Sequence, residues 1–303
     1  LTDHSVDLSN EPIHNFIDEE ILSTLEILAL PVSPLVDQPT FVRRVTLDLT
    51  GRLPSPPALQ ERDSNLQMPL ADASSQAQRQ ELIDGLLESD AFDQYWTFQL
   101  AKLLRIAPQP TDQDGMRAYH AWLSQQIRDN VGYDRLAAEV ILATGDSHLN
   151  GPANFYRTLA GPREQAEFFS ELFMGSRLRC ANCHNHPLDR WTQDDYHGLA
   201  AIFAKIEGGK VVRLNAAGEL IHPRTQEPAI PRIPGQTFLS GAALEDGRTQ
   251  LTNWLIDGDN PYFAKAIVNR IWKQLMGRGL VEPVDDFRDT NPATHPRLLD
   301  LLA

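Results

Sequence analysis

Apolar positions in the first 105 residues recur at helical spacing. Ile13, Phe16, Ile17, Ile21, Leu25 and Leu28 stand three or four apart, and Pro31 and Pro34 end the run. Thr40 is placed to cap a short helix through Val42 and Val45 to Leu49, closed by Gly51 and followed by Pro54, Pro56 and Pro57. Residues 63–75 are polar and aperiodic, which reads as a loop. Helices follow near 76–88 and 90–105, the second with Phe92, Tyr95, Trp96, Leu100 and Leu103 on one side. Past the break at Pro108-Gln109-Pro110 the pattern predicts helices near 114–130, 133–143 and 162–174. Gly145 to Ala153, with His148, lies between the last two as a loop. Asp194 to Ile206 reads as a helix capped by Asp194 or Thr192.

The period changes at 208–247. Lys210 to Leu214, then Asn215-Ala216-Ala217-Gly218, then Glu219-Leu220-Ile221 form a hairpin signal near 208–222, followed by a stretch rich in Pro and Gly. Helices resume near 247–257 and 261–276. The expected fold class is mainly α, a multi-helical chain with one small β-hairpin insertion. Its expected parts are a helical domain at 1–207, an insertion or linker at 208–246 and the start of a second helical domain at 247–303. Arg297 to Ala303 stops inside an opening amphipathic pattern, so the chain reads as cut short there.

Charge narrows the function classes. Lys and Arg number 27 against 41 Asp and Glu, a net charge of −14. That balance disfavours nucleic acid or an anionic membrane as the main partner. No apolar run approaches the roughly 18 residues that span a bilayer. No secretion signal is visible at Leu1-Thr2-Asp3-His4. The chain has 2 cysteines, Cys180 and Cys183, so a disulfide framework is excluded.

Those two cysteines carry the chemistry. Cys180-Ala181-Asn182-Cys183-His184 matches the C-x-x-C-H pattern of c-type haem attachment. Two thiols three positions apart can add to the two vinyl groups of one haem, and the adjacent imidazole then falls under the iron as axial ligand. One haem c per chain is expected, with His184 on the iron. Two other readings stay open: a local C-x-x-C disulfide or redox pair, and a zinc site built from Cys180, Cys183, His184 or His186, and His197. Near the motif, His186 and Arg190 are candidates for haem propionates, and Trp191 for packing on the porphyrin. For a distal ligand, His197 is the nearest candidate, with His222, His148 and His120 behind it; Met276 fits a core helix better, and an open iron position is equally compatible. Asp285-Asp286-Phe287-Arg288-Asp289 invites a calcium reading but fits a solvated loop better. Glu167 and Glu171 stand at i, i+4. No G-x-S-x-G, H-E-x-x-H, Walker A or dinucleotide glycine pattern is present.

Three longer segments carry a resemblance. Phe173-Met174-Gly175-Ser176-Arg177 followed by Cys180 to Tyr196, together with Arg43 to Gly51 and Leu53-Pro54, resembles the signatures of the planctomycete-type cytochrome family. Asn260 to Ala264, Val268 to Trp272 and Gly277 to Val281 resemble the start of the partner domain that usually follows it. Both domains are of unknown function. The resemblance implies Cys180 and Cys183 as thioether positions and His184 as axial ligand, and supplies neither a distal ligand nor a substrate. Members are large exported proteins, abundant in bacteria that degrade complex polysaccharides. The resulting expectation is a periplasmic or extracellular mono-haem c-type cytochrome, transferring electrons to other redox proteins or cytochrome subunits within a larger assembly. A haem-dependent oxidoreductase acting on a carbohydrate-derived substrate is the alternative, and a structural Cys/His zinc site a further one. The acidic balance points to a basic redox partner.

Overall fold

The computed structural model describes residues 6–54, 75–107 and 112–303. The expected loop at 63–75, apart from Ser75, and the break at Pro108-Gln109-Pro110 lie outside the described residues. The chain divides into two compact units, one of residues 1–95 with 293–303 and one of residues 96–292. The expected boundaries near 207 and 247 fall inside the second of these.

In the first unit, α1 (Phe16–Ile27) is capped by Asn15, whose Oδ1 accepts from the Ile17 and Asp18 amides at 2.9 and 3.3 Å. α2 (Gln38–Thr50) starts one turn earlier than expected. Asp37 rather than Thr40 is its cap, because the Asp37 carboxylate accepts from the Thr40 amide at 3.0 Å. Gly51 ends α2 at φ +66, and a Cβ there would lie 2.3 Å from Tyr95 Cδ2, so only glycine fits both the turn and the ring. α3 (Gln76–Leu87) opens with a reciprocal capping box between Ser75 and Gln78. Its Leu82 and Leu86 pack with Val42 as a small core, flanked by Phe41, Val45 and Leu49. α4 (Asp90–Leu103) runs through the division between units.

The second unit holds the large core. α5 (Gln113–Arg128) and α6 (Tyr133–Leu142) each bury four residues along one face, as their periodicity predicts. α7 (Pro162–Phe169) passes directly into a wider turn at Ser170–Met174 that ends at Gly175, φ +61. α8 (Gln193–Phe203) is capped by Thr192 and Asp195. α9 (Gly247–Leu255) and α10 (Phe263–Met276) follow, and α11 (Pro296–Leu302) returns to the first unit. Phe155, Tyr156, Phe169, Phe173 and Phe203 are all fully or almost fully buried and meet ring to ring. Arg248 is 2% exposed in this core. It forks onto Asp246 and donates to the Ile141 and Ala143 carbonyls at 3.3 Å, so its charge is paired and its donors are used.

A three-stranded antiparallel sheet lies at the edge of this unit, in the order β1 (Gly145–Asp146), β3 (Val211–Leu214), β2 (Ile206–Glu207). The expected hairpin is corrected here. β3 pairs backward with β2, Ile206 opposite Leu214, across a turn at Gly208-Gly209. The 215–218 segment is instead pressed on the end of α8, where a Cβ on Gly218 would lie 2.3 Å from the Ala204 carbonyl. Met276 is corrected too: it is 59% exposed at the last position of α10, not a core residue. Among the described residues no helix is long and apolar enough to cross a membrane.

Candidate functional site

Gly175 releases the chain from the wide turn into an exposed loop that rejoins regular structure at Thr192. Inside this loop Leu178–Asn182 winds as one short 3-10 turn, burying Leu178 and Ala181 and turning Cys180 outward. Cys183 follows, also exposed, and both thiols are unbonded. His184 is exposed beside them.

The histidine tautomers follow from their partners. His184 Nδ1 lies 2.7 Å from the Asn185 carbonyl, which can only accept, so Nδ1 carries the proton and Nε2 keeps a bare lone pair. A backbone carbonyl that fixes a ring this way is what metal-ligating histidines use. His186 has the opposite arrangement: its Nδ1 accepts from the Leu188 amide at 3.2 Å, leaving an Nε2–H donor suited to an anion. Arg190 is exposed, with its guanidinium 4.8 Å from the Trp191 ring and 5.4 Å from that of Tyr262.

Trp191 is buried rather than presented on the surface of the loop. It is 2% exposed, takes part in the core and donates Nε1–H to Ser176 Oγ at 3.0 Å. Its size and single donor are satisfied inward, so it anchors the end of the loop. His197 is likewise taken inward. It is fully buried on α8 and donates Nε2–H to the Asn182 carbonyl, between the two cysteines, at 2.9 Å. That nitrogen is therefore engaged with backbone, while Nδ1 is buried without a hydrogen-bond partner. Burial first, with His222 adding to it, holds the His197 pKa below the usual imidazole range against the opposing Asn182 bond, which keeps the ring neutral. His222 meets His197 edge to face at 4.7 Å, and His148 lies 2.7 Å from Asp112 Oδ1. His120 is exposed on α5.

Several supporting residues escaped the sequence reading. Gln193 reaches the Asn182 carbonyl through Nε2 at 3.4 Å, and its amide donates to Asn185 Oδ1 at 3.0 Å. The His186 amide donates to the Trp191 carbonyl at 2.8 Å, closing the loop on itself. Asp195, 3% exposed, accepts from Thr192 and from the Gly235 amide at 2.9 Å. The only sequence signal for these contacts is the Thr192/Asp195 spacing of a capping box. Glu167 accepts from Tyr196 Oη at 2.7 Å, while Arg105 lies 3.9 Å from Glu171, so the two glutamates serve different partners.

The donor set fits a covalently held haem: two open thiols on one short turn, and beside them an imidazole whose Nε2 is free to bind iron. Among the described residues no three His, Cys, Asp or Glu side chains converge to hold a metal ion; on His197, Nε2 is taken up by the Asn182 carbonyl and Nδ1 is buried without a hydrogen-bond partner.

A family model for PSCyt2, a protein of unknown function (DUF1549), matches residues 16–208, more than half of the chain. The chain belongs to the PSCyt2 family. A second model, PSD1, a protein of unknown function (DUF1553), matches residues 247–303. Both are planctomycete-type domains. No curated protein and no solved structure matches the chain. The PSCyt2 match contains the whole Cys180–His184 loop and the helix beneath it, and the PSD1 match contains α9 to α11.

Proposed function

We propose that this PSCyt2 chain is an exported, mono-haem c-type cytochrome that transfers electrons within a larger redox assembly. The observation that carries the reading is the pairing of two exposed, unbonded thiols with a His184 ring whose Nε2 lone pair is set by the Asn185 carbonyl. Cys180 and Cys183 would hold the haem by thioether bonds, and His184 would be its axial ligand; the group when bound supplies reversible one-electron chemistry at iron. Around it, His186 and Arg190 offer donors for propionates, and the Asn182 contacts from His197 and Gln193 keep the loop in one shape. Covalent haem addition takes place outside the bacterial cytoplasmic membrane, so a periplasmic or extracellular location goes with the reading. Its partners are other redox proteins or cytochrome subunits.

The test is to produce the full chain in a host with c-type maturation and take a pyridine haemochrome spectrum. The expected result is one haem per chain that survives acidic acetone extraction, and none in the Cys180→Ala, Cys183→Ala double variant. A wild-type chain without covalent haem overturns the reading. A reduced spectrum unchanged by carbon monoxide is expected for electron transfer; a shifted one would make the chain a haem-dependent oxidoreductase instead.

A further inference from the structure

The acidic run near the C-terminal side of the chain is engaged with the attachment loop. Both carboxylate oxygens of Asp285 are held by Arg177, at 2.7 Å from Nη2 and 3.1 Å from Nε. Asp286 pairs with Arg288 at 3.1 Å. These two acids are partly exposed, and each is committed to its own arginine. Next to them, the Phe287 amide donates to the Gly175 carbonyl at 2.8 Å, and Ser176 Oγ donates to the Phe287 carbonyl at 3.2 Å. The Phe287 ring packs against Gly175, where a Cβ would come within 2.7 Å of it. Thr290 Oγ1 then donates to the Leu188 carbonyl at 3.3 Å. Residues 285–290 therefore touch the loop on both sides: at its entry, Gly175 to Arg177, and near its exit, Leu188.

We propose that Asp285 to Thr290, within the PSD1 match, form a strap that positions the Cys180–His184 loop, so that the second family segment completes the cofactor site of the first. The function given to that loop rests on the haem reading above; the strap itself rests on the contacts alone. Each strap residue acts through another: Asp285 fixes Arg177 three residues before Cys180, Phe287 fixes the left-handed turn at Gly175, and Ser176 passes that restraint to Trp191 through the indole N–H. The loop has little regular structure of its own, so its shape depends on such clamps. Contacts that orient metal ligands from outside are commonly worth about 10–100-fold in metal affinity. The arrangement also gives a physical reason for the two segments to occur on one chain, since an isolated PSCyt2 segment would lack one wall of its own site.

The experiment uses the full chain with Asp285→Asn, Phe287→Ala, the charge exchange Arg177→Asp with Asp285→Arg, and the exposed control Asp259→Asn. Amide hydrogen exchange is read on haem-free protein, and haem per chain and midpoint potential on matured protein. Expected is exchange over residues 178–190 faster by about tenfold in the first two variants, with the amides of α5 unmoved, as for a local rather than global opening. Haem per chain falls, the potential shifts, the charge exchange restores both, and the control changes nothing. Unaltered loop exchange in both variants, or equal acceleration through the whole unit, overturns the strap. A wild-type chain without haem overturns the haem reading alone, and the exchange measurement still decides the strap.

Discussion

Helix α8 and the loop that precedes it are neighbours in sequence and opposites in construction. The loop turns Cys180, Cys183, His184 and Arg190 to solvent, while α8 buries every residue from Asp195 to Phe203, three of them ionisable. Reactive groups stand on the element with least internal order, and the polar groups that shape it are sunk in the element with most. The contrast separates two jobs. The exposed residues of the loop contribute little to folding, while its buried Leu178, Ala181 and Trp191 and the residues of α8 carry the packing, and the polar members of α8 transmit the rigidity of the core to the loop.

The largest effect that would test this division is Phe203→Ala. The ring is fully buried against Tyr156 and Phe169, and its loss should cost about 3–5 kcal/mol in denaturant unfolding. A loss under about 1 kcal/mol would break the contrast at its strongest point. Asp195→Ala comes next. It strands the Thr192 and Gly235 amides and leaves Arg232, 3.4 Å away, without its acid, for an expected cost of about 2–3 kcal/mol.

His197 should give a pH signature of intermediate size. Its pKa is lowered in the folded chain, chiefly by burial, so the unfolded chain binds more protons at mildly acidic pH. Its contribution is fully present above the ordinary imidazole value of about 6.5 and drains away as pH falls toward the lower folded value. Melting curves of haem-free protein from pH 8 to pH 5 should show that loss, and His197→Gln should flatten it; an equal slope in both proteins would remove His197 from the account. The smallest effect is expected in the loop itself. Leu188 is 52% exposed, and Leu188→Ala should change stability by no more than about 0.5 kcal/mol. Cys180 and Cys183 should also react with a thiol reagent in the native haem-free chain at rates close to those after unfolding; strong protection would contradict their exposure.

What the sequence made legible was local. Helix periods, the Gly51 stop and the Thr192/Asp195 cap are encoded within a few residues, and they reappear in α2 and α8 with shifts of one turn or less. C-x-x-C-H was equally visible as a motif. Pairings set by distant segments left no local trace. β3 pairs with β2 across Gly208-Gly209 on one edge and with the distant β1 on the other, while Gly218 packs on the end of α8. The inward turns of Trp191 and His197 depend on Ser176 and Asn182, residues whose own patterns announce nothing. The contact between Arg177 and Asp285 spans more than a hundred residues and joins two family segments that the chain pattern alone treats as separate.

The wide turn at Ser170–Met174 has a consequence for angular phase. An α-helix rotates about 100° per residue, so a turn holding one residue more changes the direction in which everything after it leaves. α7 buries a stripe, with Glu167 left partly exposed, but the wide turn buries Leu172, Phe173 and Met174 in succession. It ends the helix as an apolar plug and sends Gly175 out at an azimuth a regular helix would not offer. A deletion of a single residue between 170 and 174 would therefore rotate the loop rather than shorten it, directing both thiols toward a different part of the surface while leaving the length of the loop, and its motif, untouched.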